Sequence, residues 1–179
     1  MRGKVRRMTP FEASSAPLEN LIFTNKLVAR SEHPDIAYIR ADAGFQFRAD
    51  CHMAQVSGLS AKPISDSAGG GGLKILLADN KLMAMDSLGR LRTAMGIKQF
   101  KLLEDVVWAD RWLFTVAPPR GSGAKRAAME SAMNQRNDRI VEQLLCCLDA
   151  AAVHYGLINV EAFRSRWPDA RFGTKRPRR

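Results

Sequence analysis

The stretch RNDRIVEQLLCCLDAAAVHYG, residues 136–156, decides the fold class of this 179-residue chain. Its apolar side chains recur at steps of three and four, which places them on one face of a helix. The preceding residues 124–135 are rich in alanine and have high helix propensity. Together the two segments predict the longest helix of the chain, ending at Gly156. The stripe consists of Arg136, Ile140, Val141, Leu144, Leu145, Leu148, Ala152 and Tyr155.

Two helical segments are predicted before residue 57. Thr9 is a hydroxyl cap followed by a proline, which predicts the start of the first segment. Pro17 restarts the helix as the second segment. This second segment is expected to run to Glu32, because His33-Pro34 ends it. Its apolar face is predicted to contain Leu18, Leu21, Ile22, Asn25 and Val28.

Asp35 is expected to cap a long core helix over residues 35–56. The pattern places Arg40, Asp42 and Arg48 away from its buried face. The predicted buried stripe is Ile36, Ile39, Ala43, Phe47, Asp50 or Cys51, and Ala54.

The second half of the chain predicts a further helix from an Asp79 cap to Gly96, where a left-handed glycine is expected to end it. Its stripe is predicted to be Leu82, Met85, Leu88, Leu91 and Met95. The next helix begins directly afterwards, with an inner face of Ile97, Phe100, Leu103, Val106 and Val107. Residues 74–77 are the only strand candidate.

Asn159 is expected to cap a last short helix that ends near Trp167. The patterns together predict a mainly α fold, a compact helical bundle with flexible basic termini. The predicted organisation is a basic arm at 1–8, a helical segment at 9–56, a Gly/Ser linker at 57–73, a helical domain at 74–168 and a basic tail at 169–179.

The positive charge is concentrated at the two ends of the chain. The formal net charge is +10, from 28 basic and 18 acidic residues. Nine of the basic residues lie in 1–7 and 171–179, which contain no acid, so 19 basic and 18 acidic residues remain and residues 8–170 carry only +1. These nine are Arg2, Lys4, Arg6, Arg7, Arg171, Lys175, Arg176, Arg178 and Arg179.

Basic arms on a neutral body are typical of a protein that binds a polyanion, because each Lys or Arg that reaches a phosphate releases condensed counterions. We therefore expect a nucleic-acid partner, DNA before RNA, since phosphate attraction does not distinguish the two polymers. The alternative is that the ends are solubilising tails or bind an acidic protein. A protein partner or a homo-oligomer also stays open.

The two helices around Gly96 are a candidate helix-turn-helix, in which Lys98, Gln99 and Lys101 would face the major groove. A plain antiparallel helix hairpin also uses a glycine turn, so both interpretations stay open. Lys125 and Arg126, at the start of the long helix, form a second candidate phosphate contact. The alternative there is a solvated helix face, because acidic residues are interleaved with the basic ones.

Other kinds of site find little support in the residue patterns. The glycines at 69–72 lack the lysine and hydroxyl spacing of a phosphate-binding loop. Cys51, Cys146 and Cys147 lack the spacing of metal ligands and are interpreted as small buried apolar residues. His154, at a helix end, is expected to interact with the last carbonyls of the helix or to pack against the core, and no catalytic residue, metal or cofactor is predicted. Without a signal peptide or membrane span, and with an odd cysteine count, we expect a cytoplasmic protein.

Several short motifs resemble a known family in their order along residues 16–156. They are APL at 16–18, AGFQFRAD at 43–50, LLEDVV at 102–107, LD at 148–149 and HYG at 154–156. The chain resembles a helical domain family of unassigned function found in alphaproteobacterial regulator-like proteins and prophages. The resemblance implies a helical, DNA-associated bacterial or phage regulator or accessory protein. The rival hypothesis is a non-enzymatic helical interaction module that oligomerises or docks on a transcription or phage-assembly component.

Overall fold

The computed structural model describes residues 16–29, 32–55, 71–111, 123–170 and 172, without the side chains of residues 71–78 and Lys125. Within these ranges lie six α-helices and one π-helical segment, and no strand, so the predicted mainly α class is confirmed. The elements are α1 Pro17–Phe23, α2 Asp35–Gln55, α3 Gly71–Met95, α4 Ile97–Leu103, the π-helical segment Glu104–Trp108, α5 Gly123–His154 and α6 Val160–Arg166.

Helix α2 is the centre of the bundle, because it packs against α1, α3, α5 and the π-helical segment. Phe47 of α2 is buried with Leu18 of α1, Leu91 of α3 and Leu148 of α5 in one hydrophobic core. Residues before and after the predicted linker at 57–73 therefore share this core.

Gly44 allows α1 to lie close against α2. A Cβ atom built at Gly44 would come within 2.8 Å of Leu18 Cδ2 and 3.5 Å of Leu148 Cδ2. Both leucine side chains are completely buried in the core. The glycine of the AGFQFRAD motif thus has a packing role.

The prediction that α1 continues to Glu32 was wrong, because the helix ends at Phe23. Thr24 Oγ1 donates to the Asn20 carbonyl at 2.7 Å, and Asn25 adopts a positive φ of 53°. The turn that follows buries Leu27, while Asn25 and Val28 do not continue the apolar face of a helix. The spacing of apolar residues does not reveal this turn. It depends on the backbone of Asn25, because asparagine is one of the residues that tolerates the left-handed region.

Helix α2 ends one residue before its predicted boundary, whereas α3 begins at Gly71, eight residues before the predicted Asp79 cap. The strand candidate at 74–77 is helical. The predicted stripe of α3 is also partly wrong, since Leu82 and Met85 are 64% and 51% exposed. Leu88, Leu91 and Met95 of that stripe are buried or half-buried as predicted, and Ala84, which the stripe did not include, is buried on the same side of the helix.

Gly96 joins α3 to α4 with φ 87° and ψ 159°. The positive φ confirms the need for glycine, although the extended ψ differs from the left-handed helical conformation that we predicted. Ile97 is 67% exposed and does not belong to the inner face. Leu103, Val106 and Val107 do, and the π-helical turn after Leu103 lets the two adjacent valines both be buried.

Helix α5 is the longest helix within the described ranges, as predicted. Its second half is buried through Leu144, Leu148 and Ala152, whereas its first half, including Arg136, is mostly exposed. Asn159 caps α6 as predicted, with its Oδ1 accepting from the Ala162 N–H at 2.7 Å.

No helix in the described ranges combines the length and apolarity needed to cross a bilayer.

Candidate functional site

Lys98 and Lys101, the predicted DNA-facing lysines of α4, are both exposed. The Lys101 ammonium lies 3.3 Å from Glu104 and 3.1 Å from Asp105, and hydrogen bonds to these two carboxylates raise its pKa. Gln99 is half-buried and lines a small cavity beside Met95. The structure therefore brings Lys98 and Lys101 to one surface, whereas Gln99 is directed toward the cavity. Lys101 also has two acidic neighbours.

Arg126, at the start of α5, is exposed and donates from Nε to Glu130 at 2.9 Å, one helical turn further on. The backbone at Lys125 is helical, and its side chain lies outside the description. The nine terminal basic residues of the predicted site also lie outside the described residues. Arg2, Lys4, Arg6, Arg7, Arg171, Lys175, Arg176, Arg178 and Arg179 stay a prediction from sequence.

Among the described residues, part of the positive charge in the body is paired with carboxylates of the body itself. Pairs such as Arg90 with Asp86, and Arg111 with Asp105, are exposed and contribute little to stability. Arg40 and Arg48 are different, since each is held by two acidic side chains and a backbone carbonyl. Both guanidinium groups are thus occupied by contacts within the fold.

Arg40 is completely buried, which corrects its prediction on an outward face of α2. Its Nε and Nη2 donate to the two oxygens of Asp149 at 2.8 and 2.7 Å. Nη1 and Nη2 donate to Glu32 at 2.6 and 2.8 Å, and Nη1 also donates to the Leu27 carbonyl at 2.6 Å. All five guanidinium N–H groups are therefore bonded.

The Arg40 pair ties α2 and α5 to the end of α6. Trp167 Nε1 donates to Asp149 Oδ2 at 2.8 Å, and Arg166 lies 3.5 Å from the same oxygen. Burial lowers the Arg40 pKa, but the hydrogen bonds to Asp149 and Glu32 raise it by more. Burial raises the pKa of Glu32, and the bonds from Arg40 and the Ala29 N–H outweigh that effect and lower it.

Arg48 holds α1 and the π-helical segment against α2. It forms an ion pair with Glu19 and donates from Nε to the Val107 carbonyl at 2.8 Å, while its Nη2 lies 3.2 Å from Asp110. The hydrogen bond from Arg48 lowers the pKa of Glu19. Like Arg40, Arg48 acts within the fold.

A polar cluster of Asp50, Ser87, His154 and Tyr155 joins α2, α3 and the end of α5. The Ser87 hydroxyl donates to Asp50 Oδ2 at 2.7 Å and lies 3.0 Å from His154 Nε2. The Tyr155 hydroxyl donates to the same Asp50 oxygen at 3.0 Å. Residues from the AGFQFRAD and HYG motifs thus meet directly, through Tyr155 and Asp50, and also through Ser87, which no motif indicated.

The cluster brings a serine, a histidine and an aspartate together in an order unlike that of a catalytic triad. In a triad the carboxylate orients the imidazole, which takes the proton of the serine. Here the carboxylate accepts hydrogen bonds from Ser87 and Tyr155. Burial lowers the pKa of His154, with Asp50 acting in the opposite direction and Arg90 adding to the lowering. This geometry is suited to linking three helices, and it agrees with the predicted packing role of His154.

The cysteines follow their predicted role as small apolar residues. Cys51 and Cys147 are buried and Cys146 is half-buried, and all three are free thiols. Burial raises their pKa values, to about 12 for Cys51 and Cys147 and about 11 for Cys146. Among the described residues, no group of three His, Cys, Asp or Glu side chains is placed to hold a metal ion.

No protein-family model matches this chain, and neither a curated protein nor a solved structure matches it.

Proposed function

We propose that this protein binds nucleic acid, DNA in the first instance, through the basic residues at its two ends, and that it acts as a regulator or accessory protein. One observation carries the proposal, namely the distribution of charge. The excess of nine positive charges lies in two segments without an acid, while residues 8–170 are nearly neutral. Such segments concentrate phosphate affinity where a chain can reach a polyanion.

The ion pairs of the body support this proposal, because they give several of its basic side chains an acidic partner within the protein. Arg40 and Arg48 are held by carboxylates within the fold, and Arg126 and Lys101 each have an acidic neighbour four residues further along the chain. The predicted contacts at Lys98, Lys101 and Arg126 would then be secondary to those of the terminal residues.

The test is a titration of labelled duplex DNA and of RNA at two salt concentrations. With about six to ten phosphate contacts, affinity for DNA should fall about 10³-fold or more between about 50 and 200 mM salt. Neutralising Arg2, Lys4, Arg6 and Arg7 to glutamine should reduce the slope of log affinity against log salt by about 3 to 4.

The matched control removes the same charge from the body, at Arg92, Arg136, Arg139 and Arg164, which are all exposed. This variant should keep most of the affinity and slope. An equal loss in both variants would show that the ends have no special role, and no binding at low salt would refute the proposal. Tighter binding to RNA than to DNA would change the polymer assigned.

A second candidate function is that of a helical interaction module, and the exposed apolar side chains of α3 favour it. Leu82, Met83 and Met85 are each more than half exposed within four residues of chain. Exposed apolar residues grouped in this way are typical of a surface that contacts another molecule.

A further inference from the structure

The outward face of α3 has the residue spacing of a coiled-coil seam. Leu82 and Gly89 are seven residues apart and Met85 lies between them, as at the a and d positions of a heptad. All three are exposed, and the residues of α3 that pack into the core, Ala84 and Leu91, lie on the opposite side. The seam is thus separate from the surface that holds the bundle together.

Gly89 is unexplained by the contacts of the bundle. A Cβ atom built there would meet nothing within 4 Å, so the fold itself has room for a larger residue. Glycine inside a helix is destabilising relative to alanine, because it has more conformational freedom to lose. A glycine at a seam position permits close approach of a second backbone.

The charges beside the seam select one orientation for a second identical helix. Lys81 lies at position g and Asp86 at position e. In a parallel pair, position g of one helix faces position e five residues further along the other, so Lys81 of each copy would face Asp86 of the other. In an antiparallel pair, lysine would face lysine and aspartate would face aspartate.

The Asp86 side chain is accessible for an ion pair with Lys81 of a second copy. Its carboxylate is 2.6 Å from Arg90 on the same helix, and both side chains are largely exposed. The next d position carries Arg92, and the next g and e positions carry Leu88 and Thr93, so the seam covers the single heptad from Leu82 to Gly89.

We infer that α3 pairs in parallel with α3 of a second copy of this chain, through Leu82, Met85 and Gly89, with Lys81 of each copy facing Asp86 of the other. This names the partner of the interaction-module alternative, and it is independent of nucleic-acid binding. The symmetry is two-fold, with identical residues meeting across the axis. A dimer would also present two sets of basic ends to one polyanion, and so increase avidity.

Cross-linking tests the parallel arrangement directly. Under mild oxidation, Leu82→Cys should form a disulfide-linked dimer, because position a meets its own copy in a parallel pair. Met83→Cys is the matched control, since Met83 is 71% exposed but lies off the seam. It should cross-link no more than the unaltered chain, whose three native thiols set the background.

Charge reversal tests the register. The molar mass, measured by sedimentation over a range of protein concentrations, should show a reversible dimer. Lys81→Glu should weaken the dimer about tenfold, because two attractive pairs become repulsive. Adding Asp86→Lys in the same chain should restore it. In an antiparallel pair, Lys81→Glu would replace one like-charge pair by another and would not weaken the dimer. Reversing Arg126 and Glu130 on α5 is the control, and should leave the dimer unchanged.

Circular dichroism of each variant confirms that the helices are intact, since all the altered residues are exposed or half-buried. A monomer at every concentration would overturn the inference while leaving the nucleic-acid titration unaffected. A dimer that Lys81→Glu does not weaken, or in which Met83→Cys cross-links as well as Leu82→Cys, would also overturn it.

Discussion

Arg40 and Asp149 lie 109 positions apart in the chain, yet they form two parallel hydrogen bonds of 2.8 and 2.7 Å in the core of the bundle. Both side chains are completely buried. In this arrangement each buried charge is stabilised by the other, so removing one side chain leaves the other charge buried without its partner. The stability of the packing between α2 and α5 therefore depends on the pair.

Arg40→Met should lower the free energy of unfolding by about 3–5 kcal/mol, because it leaves the Asp149 carboxylate buried without its main partner. Urea unfolding measures the change. Asp149→Asn introduced with Arg40→Met should cost less than the two single changes added together, since the unpaired charge is then absent. Arg90→Met, at an exposed ion pair, is the control and should change stability by less than about 0.5 kcal/mol. Equal effects of Arg40→Met and Arg90→Met would contradict this account.

Gly44→Ala should destabilise the protein by about 1–3 kcal/mol, because the added methyl group meets Leu18 at 2.8 Å in a filled core. Gly89→Ala is a matched change in an exposed helical position with open space, and should be neutral or stabilising by up to about 1 kcal/mol. Thermal unfolding at a single low protein concentration measures both. Similar melting temperatures for the two variants would mean that α1 does not pack closely on Gly44.

His154 should make the protein less stable as the pH falls below about 6.5. Burial lowers its pKa in the folded protein, so the unfolded chain binds the proton more tightly and protonation favours unfolding. The contribution is absent above the unfolded value, and grows as the pH falls from there toward the folded value. His154→Asn should reduce the loss of melting temperature between about pH 7.5 and 5.5.

The control for this prediction is Gln135→Ala, since Gln135 is exposed on α5 and has no ionisable group. It should leave the pH profile of the melting temperature unchanged. The carboxylates of Glu19 and Glu32, whose pKa values are lowered in the folded protein, lose their contribution to stability only at lower pH, below the ordinary glutamate pKa of 4.5. A profile identical in all three proteins between about pH 7.5 and 5.5 would contradict the role of His154.

The three thiols should react slowly with a disulfide reagent in the native protein, because burial raises their pKa values and the thiolate is the reactive form. At about pH 8 we expect Cys146 to react first, since it is only half-buried. Three equivalents should react rapidly once guanidinium unfolds the chain. Rapid reaction of Cys51 or Cys147 without denaturant would show that the core opens near α2 or α5.

Local physical chemistry made several elements predictable from sequence. Apolar periodicity indicated α2 and α5, the side chain of Asn159 indicated the start of α6, and Gly96 indicated the break between α3 and α4. Each of these signals arises from residues within one or two helical turns. The uneven distribution of charge between the ends and the body was also readable directly.

The site and the core needed the tertiary structure. Helix α3 has apolar residues on two faces, and only the packing of the bundle buried Ala84 and left Leu82 and Met85 exposed. Arg40 looked like an outward residue because its partner is more than a hundred positions away. The same holds for Ser87, which is joined to Asp50 and His154 by long-range contacts.

The sequence alone thus determined which segments become helices, since that depends on backbone propensity and nearby side chains. The tertiary structure decided which faces are buried and which polar groups are paired, because burial of a charge is favourable only when its partner arrives from another helix.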